Sequence, residues 1–193
     1  MRFIAIAIAL AAAPALAAPL VVDSGNTPFT LAADATYDSL TVASGSTLIL
    51  NAAMTVTGDA IIQTGGTVTH DVKPLALSRL LVAGTLEVQT GAFVDLNTKG
   101  YGAGGTGGGS AFGASGETLN PLTLQTVAGA TDQNGASHGG LGGGTAPAIY
   151  GAQVEPATFG GGGGRGTCNS RGGRGAGRIV LQGESLLEAS DQR

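Results

Sequence analysis

A spacing of about twenty residues between short apolar triplets is the feature that most constrains this sequence. The first triplets of three consecutive units are Leu40–Val42, Ala60–Ile62 and Leu80–Val82. In each unit a glycine follows, and then a second triplet: Leu48–Leu50, Val68–His70 and Leu86–Val88. A repeat of this length that contains several short strands is typical of a parallel β-helix.

Alternation of apolar and polar residues within the triplets predicts strands with one buried face, as where Thr41 separates Leu40 from Val42. A third apolar pair completes each unit: Met54 and Val56, Leu75 and Leu77, and Val94 and Leu96. An antiparallel β-sandwich is the alternative. The regular spacing and the low aromatic content of 4% favour the helix. We therefore expect an all-β fold, a right-handed parallel β-helix with a long glycine-rich insertion.

The first seventeen residues have the layout of a secretory signal peptide. A basic start is followed by the apolar run Phe3–Ala13 and by small residues that place cleavage after Ala17. That run is shorter than the ~20 residues that span a bilayer, so the mature chain is expected to have no transmembrane segment. The sequence predicts a secreted or cell-surface protein.

Glycine separates the rest of the chain into two kinds of sequence. Of 35 glycines, 27 lie between Gly100 and Gly177. We expect a lead-in or cap at 18–38, rungs at 39–98, a glycine-rich insertion at 99–178 and a resumed, incomplete rung at 179–193. The insertion is either loosely ordered or held by backbone hydrogen bonds, and further rungs or a neighbouring subunit are expected to cover the C-terminal end.

Four stretches carry a resemblance to a known group: Ser39–Leu50, Val94–Gly102, Ser137–Gly143 and Gly175–Leu181. Together they resemble the glycine-rich β-helical repeat regions of large secreted bacterial surface or adhesin-like proteins. The resemblance implies a structural or adhesive module. It implies no catalytic residue.

Candidate binding residues are few. Within the glycine-rich insertion, His138, Arg165, Arg171 and Arg174 are candidates for a ligand-binding surface. The preferred interpretations are a structural hydrogen bond that closes a loop for His138, and solvation of a loop for the arginines. His70, at the end of a strand triplet, is expected to be solvated or hydrogen-bonded. Asp95 and Asn97 are weak candidates for binding calcium. Their side chains offer too few oxygen ligands, since calcium takes six to eight. Cys168 is the only cysteine, which excludes an internal disulfide.

The expected function is that of a non-catalytic, exported structural or adhesive module with no cofactor. Extracellular polysaccharide or cell-surface components are the expected partners. Nucleic acid is not, because the net charge is −4. The alternative is a carbohydrate-active lyase or hydrolase, which needs acidic residues on one strand face. Glu87 is the only acidic residue in the triplets, and this favours the non-catalytic function.

Overall fold

The computed structural model describes residues 17–73, 78–144, 148–152, 154, 157–167 and 170–188. These residues include no α-helix and hence no helix long and apolar enough to cross a membrane. The predicted signal peptide lies outside them, except for Ala17. In chain order the strands are β1 (Leu20–Val22), β2 (Phe29–Leu31), β3 (Ala35–Tyr37), β4 (Leu40–Val42), β5 (Thr47–Leu50), β6 (Ala53–Val56), β7 (Ala60–Ile62), β8 (Thr67–Thr69), β9 (Arg79–Val88), β10 (Phe93–Val94), β11 (Glu117–Leu119), β12 (Thr126–Ala128) and β13 (Val180–Glu188).

Parallel pairing between successive units explains the spacing in the sequence. Leu40 in β4 lies in register with Leu20 in β1 and with Ala60 in β7. The same interval separates Thr47 in β5 from Thr67 in β8. Residues in register point to the same face of a sheet, so apolar side chains stack on one another. Because these strands are parallel, the antiparallel β-sandwich alternative is wrong.

The predicted fold class, a right-handed parallel β-helix, is also wrong. The larger sheet has the order β1-β4-β7-β9-β6-β3, and β13 also pairs with β9. This sheet curls through β9 into a nearly closed barrel instead of forming separate solenoid faces. A smaller parallel sheet has the order β10-β8-β5-β2. The fold is therefore all-β and mostly parallel, with one sheet almost closed on itself.

The physical reason for this correction lies at Gly84. Gly45 and Gly65 have φ of 72° and 77° and form the predicted tight turns. Gly84 has no positive φ; it lies inside the ten-residue strand β9, and its N–H donates to the carbonyl of Gly58 at 3.1 Å. The two triplets expected on either side of a corner therefore form one strand. The first half of β9 pairs with β6 and the second half pairs with β7, so β9 joins these two strands in one sheet.

The apolar pairs that were predicted to complete each unit differ in their burial. Met54 and Val56 lie in β6 and are fully buried, as predicted. Val94 ends β10 and is 39% exposed, whereas Leu96 follows that strand. Leu75 and Leu77 lie outside the described residues. The predicted strand after Arg178 is confirmed as β13.

One hydrophobic core fills the space inside the sheets, with contributions from every described strand from β1 to β9 except β3, whose Ala35 and Tyr37 pack against it. Its members are the inward residues of the alternating strands, so Leu48 and Leu50 of β5 are fully buried, whereas Thr47 and Ile49, which alternate with them, are not. Burial of a Val, Leu or Ile side chain contributes about 1.5–3 kcal/mol. The apolar periodicity of the sequence is therefore the main source of stability of the sheets.

Residues 100–177, which we call the glycine body, are ordered by backbone hydrogen bonds in their described parts. Extended segments 100–104, 160–164 and 172–176 bond to one another at every third residue. Tyr101 and Gly104 donate to the carbonyls of Gly160 and Gly163, at 3.0 and 2.9 Å. A period of three residues is that of polyproline-II backbone, which makes no internal hydrogen bonds and so has all its groups free for neighbours. The structure thus answers the question that the sequence left open.

Candidate functional site

The backbone hydrogen bonds determine which loops share an end of the glycine body. Segment 160–164 runs parallel to 100–104, and 172–176 runs antiparallel to both. Gly177 donates to the carbonyl of Leu96 at 2.9 Å, which ties this end to the sheets. Loops 105–113 and 131–134 and the described residues of 165–171 therefore form the opposite, distal end. Loop 120–125 and the described residues of 138–159 lie at the other, proximal end.

The structure does not bring the four predicted binding residues together. Arg165 and Arg171 lie at the distal end, and Arg174 lies one three-residue turn from Arg171 along the same segment. His138 lies at the proximal end. The candidate surface is therefore divided into an arginine-bearing part and a histidine-bearing part.

Two of the arginines are fixed by loop carbonyls. Arg171 Nη1 donates to the carbonyl of Gly107 at 3.0 Å, and Arg174 Nε donates to that of Thr98 at 3.1 Å. Arg165 instead faces a carboxylate, with its Nη2 at 3.9 Å from Asp132 Oδ1. Both side chains of this pair are solvent-accessible, so the interaction contributes little to stability.

His138 closes the proximal loop. Its Nε2 lies 3.1 Å from Thr158 Oγ1, and its ring packs edge-to-face on Tyr150 with centroids 5.0 Å apart. Its backbone N–H donates to the carbonyl of Gly140 at 3.1 Å. Exposed apolar side chains occupy the loops at the same end: Leu122 is 91% exposed, and Val154 90%.

Sequence reasoning missed a buried ion pair between the sheets and the glycine body. Lys73 Nζ donates to Glu117 Oε2, and the Glu117 side chain is 4% exposed. The same carboxylate accepts the backbone N–H groups of Gly102 at 2.7 Å and Ala111 at 3.3 Å. Burial raises the pKa of Glu117, but these hydrogen bonds and the Lys73 charge outweigh burial and leave the pKa below its usual value.

A cluster of aromatic rings packs beside this ion pair. The Tyr101 ring lies 5.7 Å from Lys73 Nζ and packs edge-to-face on Tyr150 and on Phe159, with centroids 6.1 and 6.2 Å apart. Burial raises the pKa of both tyrosines, so both phenols stay neutral. Phe159 also packs on the fully buried His70. We call these six residues, Lys73, Glu117, Tyr101, Tyr150, Phe159 and His70, the junction cluster.

One sequence signal pointed to this cluster. Glu117 is the only charged residue between Gly100 and Thr131. A lone carboxylate in such an apolar and glycine-rich stretch is seldom left unpaired inside a protein. Nothing in the sequence identified Lys73, 44 positions away, as its partner.

The weak calcium candidates form a turn instead of a ligand shell. Asn97 donates its backbone N–H to Asp95 Oδ1 at 3.0 Å, the geometry of an Asx turn. Within the described residues no group of three His, Cys, Asp or Glu is placed to hold a metal ion. Cys168 lies outside the described residues.

The chain has no significant match among protein-family models, curated proteins or solved structures. The site must therefore be interpreted from its own geometry. Its features are a rigid backbone-bonded body, a junction cluster whose polar groups are engaged, and loops at both ends with accessible cationic or apolar side chains.

Proposed function

We propose that this protein is a non-catalytic, exported structural and adhesive module of a bacterial cell-surface or matrix protein. In this proposal the sheets are the support, and the loops of the glycine body are the binding surface. Extracellular polysaccharide or other cell-surface components are the proposed partners. Export is proposed from the signal-peptide pattern of the first seventeen residues.

The observation that carries the proposal is the construction of the glycine body. Its segments are held by backbone hydrogen bonds, and glycines such as Gly162 are buried between neighbouring segments. The loops between those segments need contribute few side chains to the fold, so their residues are available for binding. Large exposed side chains in these loops, such as Leu141 at 73%, support a role in contact.

The junction cluster supports the same function. A load on the loops passes to the sheets through the Lys73–Glu117 pair and through His70, which accepts the backbone N–H of Arg178 at 3.0 Å. Buried, hydrogen-bonded groups of this kind fix one relative position of two packed units. A rigid connection suits a protein that presents a surface.

A carbohydrate-active enzyme is the second candidate, and one groove favours it. Asp59 and Glu87 line the same shallow groove of about 450 Å³ on the outer face of β4, β7 and β9. Paired carboxyl groups are the usual machinery of glycoside hydrolysis. Each already has a partner: Asp59 Oδ1 accepts the Thr85 N–H at 2.8 Å, and Glu87 Oε1 accepts Gln89 Nε2 at 3.1 Å.

A paired measurement on the purified chain tests the two functions. Binding is measured on an array of neutral and acidic glycans, and uronate-lyase and glycosidase assays are run on every glycan that binds. We expect saturable binding without turnover. Turnover that is lost in Asp59→Asn or Glu87→Gln would overturn the non-catalytic proposal in favour of the enzyme.

A further inference from the structure

Positive charge is concentrated on one part of an acidic protein. The segments at the distal end and next to it, 102–116, 129–136, 161–167 and 170–175, carry three of the nine basic residues and one of the thirteen acidic residues. Those three are Arg165, Arg171 and Arg174, and the acidic residue is Asp132. The chain as a whole has a net charge of −4, so its distal end differs in sign from the rest. Such segregation attracts an anionic partner to that end.

Arg171 and Arg174 share one edge of their segment. The segment bonds to its neighbour at Gly172 and Gly175, three residues apart, with N···O distances of 2.9 and 3.0 Å. With a rise of about 3.1 Å per residue, side chains three positions apart project in the same direction at a spacing of roughly 9 Å. The two guanidinium groups thus form a short row along the body.

Both guanidinium groups retain capacity to bind an anion. Among the described residues, neither lies within salt-bridge distance of a carboxylate. Each donates one hydrogen bond to a loop carbonyl, of Gly107 or of Thr98, and a guanidinium has five N–H donors. The bonds that are made restrict the side chains, which lowers the entropy cost of binding.

The loop beside this row leaves room for it. Gly109 has φ of 75°, and a Cβ at this position would overlap Arg174 Nη1. Gly107, with φ of 72°, turns its carbonyl to Arg171. The same loop carries Phe112, which is 40% exposed.

We propose that Arg171 and Arg174 bind the carboxylates of a linear anionic polysaccharide that lies along this edge of the glycine body. This inference rests on the proposed adhesive function and names the class of its ligand. Planar guanidinium groups match carboxylates in a bidentate arrangement. A single-stranded nucleic acid fits less well, because such binding uses a series of aromatic platforms and a continuous cationic groove, whereas this loop offers one exposed phenylalanine.

The test uses the full chain and oligomers of polygalacturonate, with their methyl-esterified, neutral counterparts and a single-stranded oligonucleotide as comparison ligands. Binding is measured by isothermal titration calorimetry at low and physiological salt. We expect saturable binding of the acidic oligomers that weakens with salt, and little binding of the neutral ones. Arg171→Gln and Arg174→Gln should each reduce affinity about tenfold or more.

Arg79→Gln is the matched control, since Arg79 is an exposed arginine at the start of β9 in the sheets. It removes the same charge and should leave the affinity unchanged. The inference would be overturned if all three variants lost affinity equally, or if Arg171→Gln and Arg174→Gln left the affinity unchanged. Tighter binding of the oligonucleotide than of polygalacturonate would also overturn it. If the chain binds neutral glycans and not polygalacturonate, this inference fails while the adhesive function stands. If it binds no glycan and no cell surface, both fail.

Discussion

His70 and Arg178 are joined across 108 residues by a hydrogen bond in which the Arg178 backbone N–H donates to His70 Nε2 at 3.0 Å. His70 Nδ1 lies 2.5 Å from the carbonyl of Asp71 and therefore carries the proton. A neutral ring thus links the end of β8 to the chain as it leaves the glycine body for β13. Protonation of Nε2 would remove the acceptor.

The His70 bond predicts a specific pH dependence of stability. Burial lowers the pKa of His70 in the folded protein below its ordinary value of 6.5. Between the pKa of the folded state and that of the unfolded state, the unfolded chain therefore binds the proton more readily than the folded chain. Stability should be full above about pH 6.5, should decline as the pH falls below it, and should stop declining below the native-state pKa. Urea unfolding at a series of pH values from 8 to 5 measures this.

His70→Leu should abolish this decline and cost about 1–3 kcal/mol at pH 7.5, because it removes the acceptor of the partly buried Arg178 N–H. His138→Gln is the control and should keep the decline. A pH dependence that persists in His70→Leu would show that another group is responsible.

The Lys73–Glu117 pair predicts a large cost when one partner is removed. Glu117→Gln should destabilise the protein by about 3 kcal/mol, the lower end of the range for a buried pair, since Lys73 is 28% exposed. The pKa of Glu117 is lowered in the folded state, so its contribution is present above about pH 4.5 and is lost as the pH falls through the native-state pKa.

A double-mutant cycle with Lys73→Met isolates the pair. We expect the double variant to be more stable than the sum of the two single losses predicts, because it leaves no unpaired buried charge. Additive losses would mean that the two groups act independently.

Much of the sheet region was predictable from residue patterns, and the outcome at individual glycines shows where prediction stops. The alternation of Leu40, Thr41 and Val42 determines which side chains are buried, and the prediction that they form a strand is confirmed. Gly45 and Gly84 follow similar triplets, yet only Gly45 turns the chain. The sequence shows that a glycine is able to adopt a positive φ. Whether it does so depends on how the residues around it pair with neighbouring strands.

The glycine body and the junction cluster were harder to predict for a different reason. Backbone hydrogen bonds hold segments together without regard to side chains, so the sequence does not identify that Gly104 meets Gly163 and Gly172. The Lys73–Glu117 pair belongs to that arrangement, because the Glu117 oxygen that accepts from Lys73 also accepts the backbone N–H of Gly102. The arginines were identified as candidates from sequence because charge is visible there.

Two neighbouring isoleucines in β7 predict how far each face of the sheet contributes to stability. Ile62 is fully buried in the core, whereas Ile61 points outward and is half-buried. Ile62→Ala should cost about 2–5 kcal/mol through lost burial and a cavity, and Ile61→Ala less than about 1.5 kcal/mol. Chemical denaturation of both variants measures the difference, and a reversed order would contradict the assigned facing of β7.

Gly162 and Gly173 provide the sharpest test of the glycine body, since both are glycines in bonded extended segments and neither has a positive φ. A Cβ on Gly162 would overlap the carbonyl of Gly102, which is backbone held by its own hydrogen bonds and unable to move aside. A Cβ on Gly173 would meet nothing within 4 Å. Gly162→Ala should therefore cost about 3 kcal/mol or more, and Gly173→Ala should be neutral or stabilise by about 0.4–1 kcal/mol through the unfolded chain. Hydrogen exchange of segments 100–104 and 172–176 supplies a local readout, with faster exchange expected only in the Gly162 variant. Equal exchange and equal stability in the two variants would mean that the segments are not packed backbone against backbone.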